Sequence, residues 1–572
     1  MSAHHAHTLP QGAQWRDGRA RFRIWAPAQR ALQLELEGRR PQRMQARPDG
    51  WFEAEADCTA GTGYRYRLDE GTAIADPASR AQRGGVHGWS LVVDPRAFEW
   101  KHALPTRPWP ETVLYEVHAG ACGGFDGLRA RLPVLAALGI NAIELMPIAE
   151  FAGTRGWGYD GVLPYAVKAE YGGPEALKRL VDEAHRLGLA MFLDVVYNHF
   201  GPDGNVLPQL APAFFHADRQ TPWGAAIDFM QPAVSEFFLH NALYWLEEYQ
   251  FDGLRFDAVH AIVDRDWLRA LPARIRGALP AGRHAHLVLE NEHNDAELID
   301  RGFDAQWHDD AHNALHVLLT GENEGYYAHF AGEPAKQLAR CLGGGFARGD
   351  LSVTLAPANL VLFLQNHDQV GNRALGERLG ALADPEALAA AATVQLLCPQ
   401  VPLLFMGEDW GSTRPFLFFT DFHGELAEAV REGRRKEFAR FSAFADPATR
   451  ARIPDPNSAD TFERSRPDFE TADESRRRPY AHLLRLRAER LAPHLAGARA
   501  LASEALGPSA VRTEWRLGNG ARLCLLANFG TRDQAASAPD LPLLHESAPG
   551  AAVALHAGQL PPRRALAFLG GD

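Results

Sequence analysis

From Thr112 onward the chain repeats one pattern, a short apolar run of strand length followed by a helical stripe. Eight runs fit it: "TVLYEVH", "NAIELMPI", "AMFLDVVYNH", "FDGLRFDAVH", "HLVLENEH", "FDAQWHDD", "LVLFLQNHD" and "VPLLFMGED". Between the second and third, "GPEALKRLVDEAHRLG" sets Leu177, Leu180, Val181, Ala184 and Leu187 on one helical face, with Gly188 just past its end. Strands alternating with helices argue for βα units and a parallel sheet. Eight such units predict an α/β architecture, a (β/α)₈ TIM barrel, in which chemistry collects at the C-terminal strand ends.

A chain of 572 residues exceeds one ordinary core, so flanking domains are expected. Before the barrel, "ARFRIWAP" and "GYRYRL" alternate apolar and polar residues between Gly and Pro punctuation, which predicts an N-terminal β-sandwich over 1–104. The proline-rich "HALPTRPWPET" reads as a linker into the barrel, 105–494. "LCLLANFG" and "AVALHAG" predict a C-terminal β domain, a β-sandwich, over 495–572. The stretch after the third strand, about 200–229, reads as an irregular loop of the length used for lids and binding loops.

The net charge of −12 is modest for this size and speaks against nucleic acid or an anionic membrane as partner. The five cysteines, Cys58, Cys122, Cys341, Cys398 and Cys524, lack paired or metal-type spacing, so neither a disulfide framework nor a zinc motif is expected. A reducing cytoplasm fits that usage. The opening "MSAHHAHTLPQGAQWRDG" lacks the basic and apolar regions of a secretory signal, and its histidines read as a solvated tail. Ala387 to Met406 is the most apolar stretch, but Pro399 and Pro402 divide it into two packed elements rather than a membrane span.

Several of the apolar runs end in charge. The third carries Asp194, Tyr197, Asn198 and His199; the fourth carries Arg255, Asp257 and His260. The fifth adds Glu290 and Glu292, and the seventh adds His367, Asp368 and Gln369. Any one cluster alone is an ordinary polar strand end or a structural ion pair. Four together, converging on one barrel mouth, bring too many desolvated groups to be structural. Several carboxylates with histidines and an arginine, without a nucleotide loop or a Ser or Cys triad, match glycosidic bond cleavage. One carboxyl group protonates the leaving oxygen and a second serves as nucleophile or activates water. Trp157, Tyr159, Trp223 and Trp410 are candidates to stack on sugar faces, each weighed against plain core packing.

"DVVYNH", "GLRFDAVH", "LENE" and "FLQNHD" resemble the four signature regions of the α-amylase family of glycoside hydrolases, in order. The resemblance implies Asp257 as nucleophile, Glu290 as general acid/base and Asp368 as the carboxylate that holds sugar hydroxyls. It also implies that Arg255 keeps Asp257 ionised, that His199 and His367 bind sugar and that Tyr159 is a platform under the cleaved sugar. Strand alternation would aim Glu292 the same way as Glu290, and Glu292 is assigned to the rim. Asn198 sits where many members place a calcium ligand, but no acidic loop completes a cage between Phe200 and Phe229, so no metal or other cofactor is expected.

"ADPASRAQRGGVHGWS", "DVVYNHFGP", "MGEDWG", "PFLFFTDF" and "GRRKEF" resemble the trehalose-releasing branch of that family. That likeness implies maltooligosyl trehalose or a related α-glucan as substrate, and a partner enzyme that makes it. Trp223, Asp228, Glu408 and Asp421 are rim candidates on the loops that would meet the trehalose end. A glycogen-branching or debranching enzyme shares the same plan, and a non-catalytic glycan-binding barrel is the reading from another class.

Overall fold

The computed structural model describes residues 4–571. Eight strands close into a barrel in chain order: β1 (Leu114–Val117), β2 (Ala142–Leu145), β3 (Ala190–Val195), β4 (Gly253–Phe256), β5 (His286–Leu289), β6 (Ala305–Trp307), β7 (Leu360–Phe363) and β8 (Val401–Phe405). Neighbours are parallel, and β8 returns to β1 with Leu114 opposite Leu403. The expected barrel is therefore met.

The strand period of two explains how one barrel holds both a core and a polar mouth. Leu114, Ala142, Phe192, Val288, Val361 and Leu403 pack together as part of one buried cluster. Two residues further along four of these strands or their ends come Glu116, Glu144, Asp194 and Glu290. The same alternation runs Gly253 and Arg255 on β4 and reaches Asp257 just past its end. Gly253 must lack a side chain: a Cβ there would lie 2.2 Å from the Phe192 ring.

The helix Gly173–Arg186 buries Leu177, Leu180, Val181 and Ala184. Leu187, half-buried, lies just beyond its last turn. The most apolar stretch divides into the helix Pro385–Leu397 and strand β8. No helix among the described residues is long and apolar enough to cross a membrane.

Before the barrel, two antiparallel sheets face each other, one built on Arg19–Trp25 and Trp51–Asp57, the other on Gln33–Leu36 and Gly63–Arg67. Phe22 and Tyr64 meet between them at 4.9 Å. After the barrel, a five-stranded antiparallel sheet holds Arg499–Ala505, Ala510–Arg516, Arg522–Asn528, Leu543–Glu546 and Arg564–Gly570. All five cysteines are free and buried.

Three expectations need correction. The "AVALHAG" run, expected as β structure, falls mostly in the helix Ala551–His556, which buries Ala551 and Leu555. The N-terminal tail is not wholly solvated: His7 is buried, its Nδ1 2.6 Å from Glu247 and its Nε2 2.8 Å from His240. Its carbonyl accepts at 2.7 Å from the buried Arg80 guanidinium, which also pairs with Glu248. Met1 to Ala3 of that tail lie outside the described residues. The stretch 200–229 is not wholly irregular either. It contains a hairpin, Phe215–Thr221 with Gly224–Ile227, which left no alternating signature because the first strand is mostly exposed on both faces.

Candidate active site

Arg255 is the centre of the mouth. It is fully buried, and its guanidinium lies 4.1 Å over the Trp307 ring. Nη1 donates to Asp194 at 2.6 Å and to Asp257 at 2.9 Å, while Nη2 donates to Glu290 at 2.8 Å. One cation therefore ties the ends of β3, β4 and β5 together. A buried arginine with a single carboxylate would barely offset its own desolvation; three partners and an aromatic face give it a stable seat.

Asp257 is also held by Asn198, whose Nδ2 donates to its Oδ2 at 2.8 Å and to its carbonyl at 2.9 Å. Asn198 is thus occupied in orienting a carboxylate, and its Oδ1 meets His199 Nδ1. The chain turns sharply after Asp257: Ala258 has φ +41°, a conformation costly for a residue with a Cβ. That turn aims the Ala258 N–H at Glu290 Oε2, 2.9 Å away.

The electrostatics separate the carboxyls. Burial raises the Glu290 carboxyl above its ordinary range against the pull of Arg255, and the Asp257 charge pushes the same way. Burial also lifts Asp194 to about 7, opposed by Arg255. Tyr159 donates to Asp194 at 2.6 Å and stacks on His367 at 5.0 Å. Burial would lower His367, but Asp368 and Glu116 outweigh it and push it up to about 9. Its Nδ1 is 2.5 Å from Glu116, and its Nε2 is 3.4 Å from Asp368. Burial lowers His199 to about 4, so it is neutral, and its ring stacks under Trp223 at 4.9 Å. Asp368 accepts from Asn372 at 3.0 Å and remains partly open, while half-buried Gln369 follows on the same short helix, His367–Gly371. His260, half-buried and lowered by burial, faces Glu290 and Glu292.

The rim candidates divide. Trp223 is 47% exposed at the hairpin tip, and Glu292 is exposed beside His260 and Arg348. β5 ends at Leu289; Glu290, the next residue, still reaches Arg255, whereas Glu292, two residues further into the turn, is exposed. Asp228 sits at the base of the hairpin, where it accepts from Met230 N at 3.0 Å and Gln231 at 2.9 Å. Trp157 is buried, its N–H donated to the Leu417 carbonyl at 2.9 Å, so it is a wall behind His367 rather than an open platform. Trp410 is buried against Phe469. Glu408 is buried and raised to about 8 by that burial. Asp421 is buried and occupied by Thr154 N at 2.7 Å, Thr154 Oγ1 at 2.8 Å and Arg155. Glu408, Trp157 and Trp410 are packed against protein neighbours, and Asp421 is held by Thr154 and Arg155.

Sequence reasoning missed three groups. Glu116 holds both His367 nitrogen-bearing groups, the ring at 2.5 Å and the backbone N–H at 2.9 Å. Glu144 is buried beside it, opposite Glu116 in the β1–β2 register, with neither oxygen bonded among the described residues. Trp307 floors Arg255. The available signal was one glutamate inside each of two apolar runs, "LYEV" and "AIEL".

The "Alpha amylase, catalytic domain" family model matches residues 84–209, and a model of a domain of unknown function matches 498–568. A malto-oligosyltrehalose trehalohydrolase of Saccharolobus solfataricus is 41% identical over 448 residues, 73% of this chain and 78% of the relative. The enzyme of the same name from Deinococcus radiodurans is 39% identical over 508 residues, 84% of this chain and 82% of the relative. The chain belongs to the malto-oligosyltrehalose trehalohydrolase family. A crystal structure from Salmonella typhimurium superposes with TM-score 0.91 at 41% identity, covering 99% of this chain and 100% of that one. Members are glycoside hydrolases of the α-amylase type, and the family expectation drawn from the four strand-end motifs is met.

Proposed function

We propose that this chain hydrolyses the α-1,4 bond next to the terminal trehalose of maltooligosyl trehalose, releasing free trehalose and a shortened maltooligosaccharide. The observation that carries the chemistry is the Arg255 guanidinium shared by Asp257 and Glu290. It holds the two carboxyls close, as a retaining pair about 5–5.5 Å apart requires. Asp257 attacks the anomeric carbon while Glu290 gives its proton to the departing oxygen. Water, deprotonated by Glu290, then cleaves the glycosyl ester and restores both groups. A raised Glu290 is the protonated partner that the first step needs. Asp368, across the mouth, holds sugar hydroxyls and faces the developing positive charge.

The curated names of the relatives support the trehalose-ended substrate. The hairpin supports it too, because Trp223 stacked on His199 offers an apolar face beside the reacting carboxylates. The substrate implies a separate enzyme that builds the α,α-1,1 linkage at a maltooligosaccharide end. Five buried free thiols favour a reducing compartment such as the cytoplasm.

The test is chromatography of products from maltooligosyl trehalose and, separately, from plain maltooligosaccharide of equal length. Rapid release of trehalose from the first, with the second barely cut, is expected. Equal cleavage of both, or formation of branched or longer products, refutes the substrate assignment and leaves only the barrel and its carboxylates.

A further inference from the structure

The end of the barrel opposite the carboxylates carries a second cluster of chemically competent side chains. His284 and His286 flank Ala285 at the entry to β5, and Asp304 immediately precedes β6. The His286 ring lies against Trp109 at 5.3 Å and Phe192 at 6.0 Å, and its Nδ1 is buried with no hydrogen-bond partner among the described residues. His284 is exposed, its ring centroid 4.8 Å from that of His286. Asp304 uses Oδ2 to accept from Arg276 at 2.8 Å and Leu287 N at 2.7 Å. One ligand atom from each of the three residues falls within 4.8 Å of the other two.

We propose that His284, His286 and Asp304 form a binding site for a zinc-class divalent transition metal at the base of the barrel. Two imidazoles and one carboxylate are a borderline-soft donor set, suited to Zn²⁺ and poorly suited to Ca²⁺ or Mg²⁺, which take oxygen ligands. Zn–N and Zn–O bonds of about 2.0–2.2 Å require the three atoms to draw together, and the exposed His284 is free to rotate inward. Solvent supplies the fourth, tetrahedral position.

Supporting features come from the surroundings. His286 Nδ1, buried and without a hydrogen-bond partner among the described residues, is an imidazole nitrogen open to a ligand. Arg276 and Leu287 N fix the Asp304 carboxylate from behind, the supporting shell that a metal ligand needs. In the other His–carboxylate cluster, His216 with Asp228 and Asp264, the imidazole itself is already paired, whereas His286 Nδ1 is free among the described residues. Asp264 accepts from Phe229 N at 2.8 Å and contacts His216 at 3.0 Å, and Asp228 accepts from Met230 N at 3.0 Å. A bound ion at the first cluster would tie the turn before β5 to the start of β6, at the barrel face associated with stability rather than catalysis.

The test uses the tag-free full-length chain, stripped with chelator and titrated with ZnCl₂ by calorimetry and with CoCl₂ by visible absorption. One equivalent per chain and the intense bands of four-coordinate Co²⁺ are expected. His284→Ala, a change at an exposed position, should lower Zn²⁺ affinity at least about tenfold and abolish the zinc-dependent rise in unfolding temperature. His216→Ala and a joint His4→Ala, His5→Ala variant should bind as the wild type does. No stoichiometric binding, binding undiminished in His284→Ala, or loss in His216→Ala or the tail variant overturns the proposal.

Discussion

Replacing Glu116 by Gln tests the electrostatics of the mouth without touching a proposed catalytic group. His367 sits at about 9 because Asp368 and Glu116 outweigh burial. Glu116 is the closer partner, 2.5 Å from Nδ1 against 3.4 Å for Asp368 at Nε2. A histidine raised from its ordinary 6.5 to about 9 carries about 3 kcal/mol of pH-dependent stabilisation at 1.36 kcal/mol per unit. The folded value lies above the unfolded one, so this stabilisation is complete below pH about 6.5 and is lost as pH rises through about 9. Removing the nearer carboxylate leaves Asp368 alone to oppose burial, so the raised value falls back. Chemical denaturation of wild type and Glu116→Gln from pH 6 to 10 should therefore show a stability gap of up to about 3 kcal/mol at the acid end, narrowing as pH rises. Glu144, beside Glu116, is raised partly by the Glu116 charge, so the variant also eases the Glu144 penalty as pH rises, which narrows the gap further. A gap that stays constant over the whole range refutes the assignment of a charged His367 held by Glu116.

Two further substitutions probe the chemistry. Glu290→Gln should lower kcat about 10²–10⁴-fold on maltooligosyl trehalose but far less on a glycosyl fluoride, whose leaving group needs no proton; equal losses on both refute the acid assignment. Trp223→Ala should lower kcat/KM about two- to tenfold, the worth of one aromatic face at about 0.5–1.5 kcal/mol, and unchanged kinetics would mean that the hairpin tip does not touch substrate.

The sequence exposed most of the barrel and of its mouth because charge in a short apolar run is conspicuous. "GLRFDAVH" placed Arg255 on a strand and Asp257 at its end, two residues on, where the two meet at 2.9 Å. What stayed hidden was burial beyond the strand ends. Nothing in "MGEDWG" or "PFLFFTDF" distinguishes a solvent rim from a packed wall, and the structure buries Trp410, Glu408 and Asp421. Glu292 was misread in direction because β5 stops at Leu289 and the chain turns after Glu290, so strand alternation does not carry on to Glu292. The number of carboxylates on Arg255 was hidden too, since Asp194 and Glu290 reach it from neighbouring strands. The hairpin of Phe215–Ile227 escaped because its exposed first strand shows no apolar alternation.

Glu144 shows how much of the mouth's behaviour depends on a layer beneath it. It is buried beside Glu116, both oxygens unbonded among the described residues, and burial raises it well above the ordinary carboxyl range, with Glu116 adding and Arg255 opposing. A carboxyl in that position is retained in its neutral form, because a second negative charge next to Glu116 would lack a cation of its own. Glu144→Gln keeps the shape and removes the ionisation. A folded value above the unfolded one means that the wild type bears a penalty that is absent in acid and grows as pH rises past the unfolded carboxyl value. The variant should match the wild type in stability near pH 4 and exceed it at pH 8, with turnover little changed. Denaturation midpoints at the two pH values read this directly. If Glu144→Gln is instead less stable at pH 8 than at pH 4 relative to wild type, the carboxylate is ionised and paired, and the charge balance under Arg255 and His367 must be drawn differently.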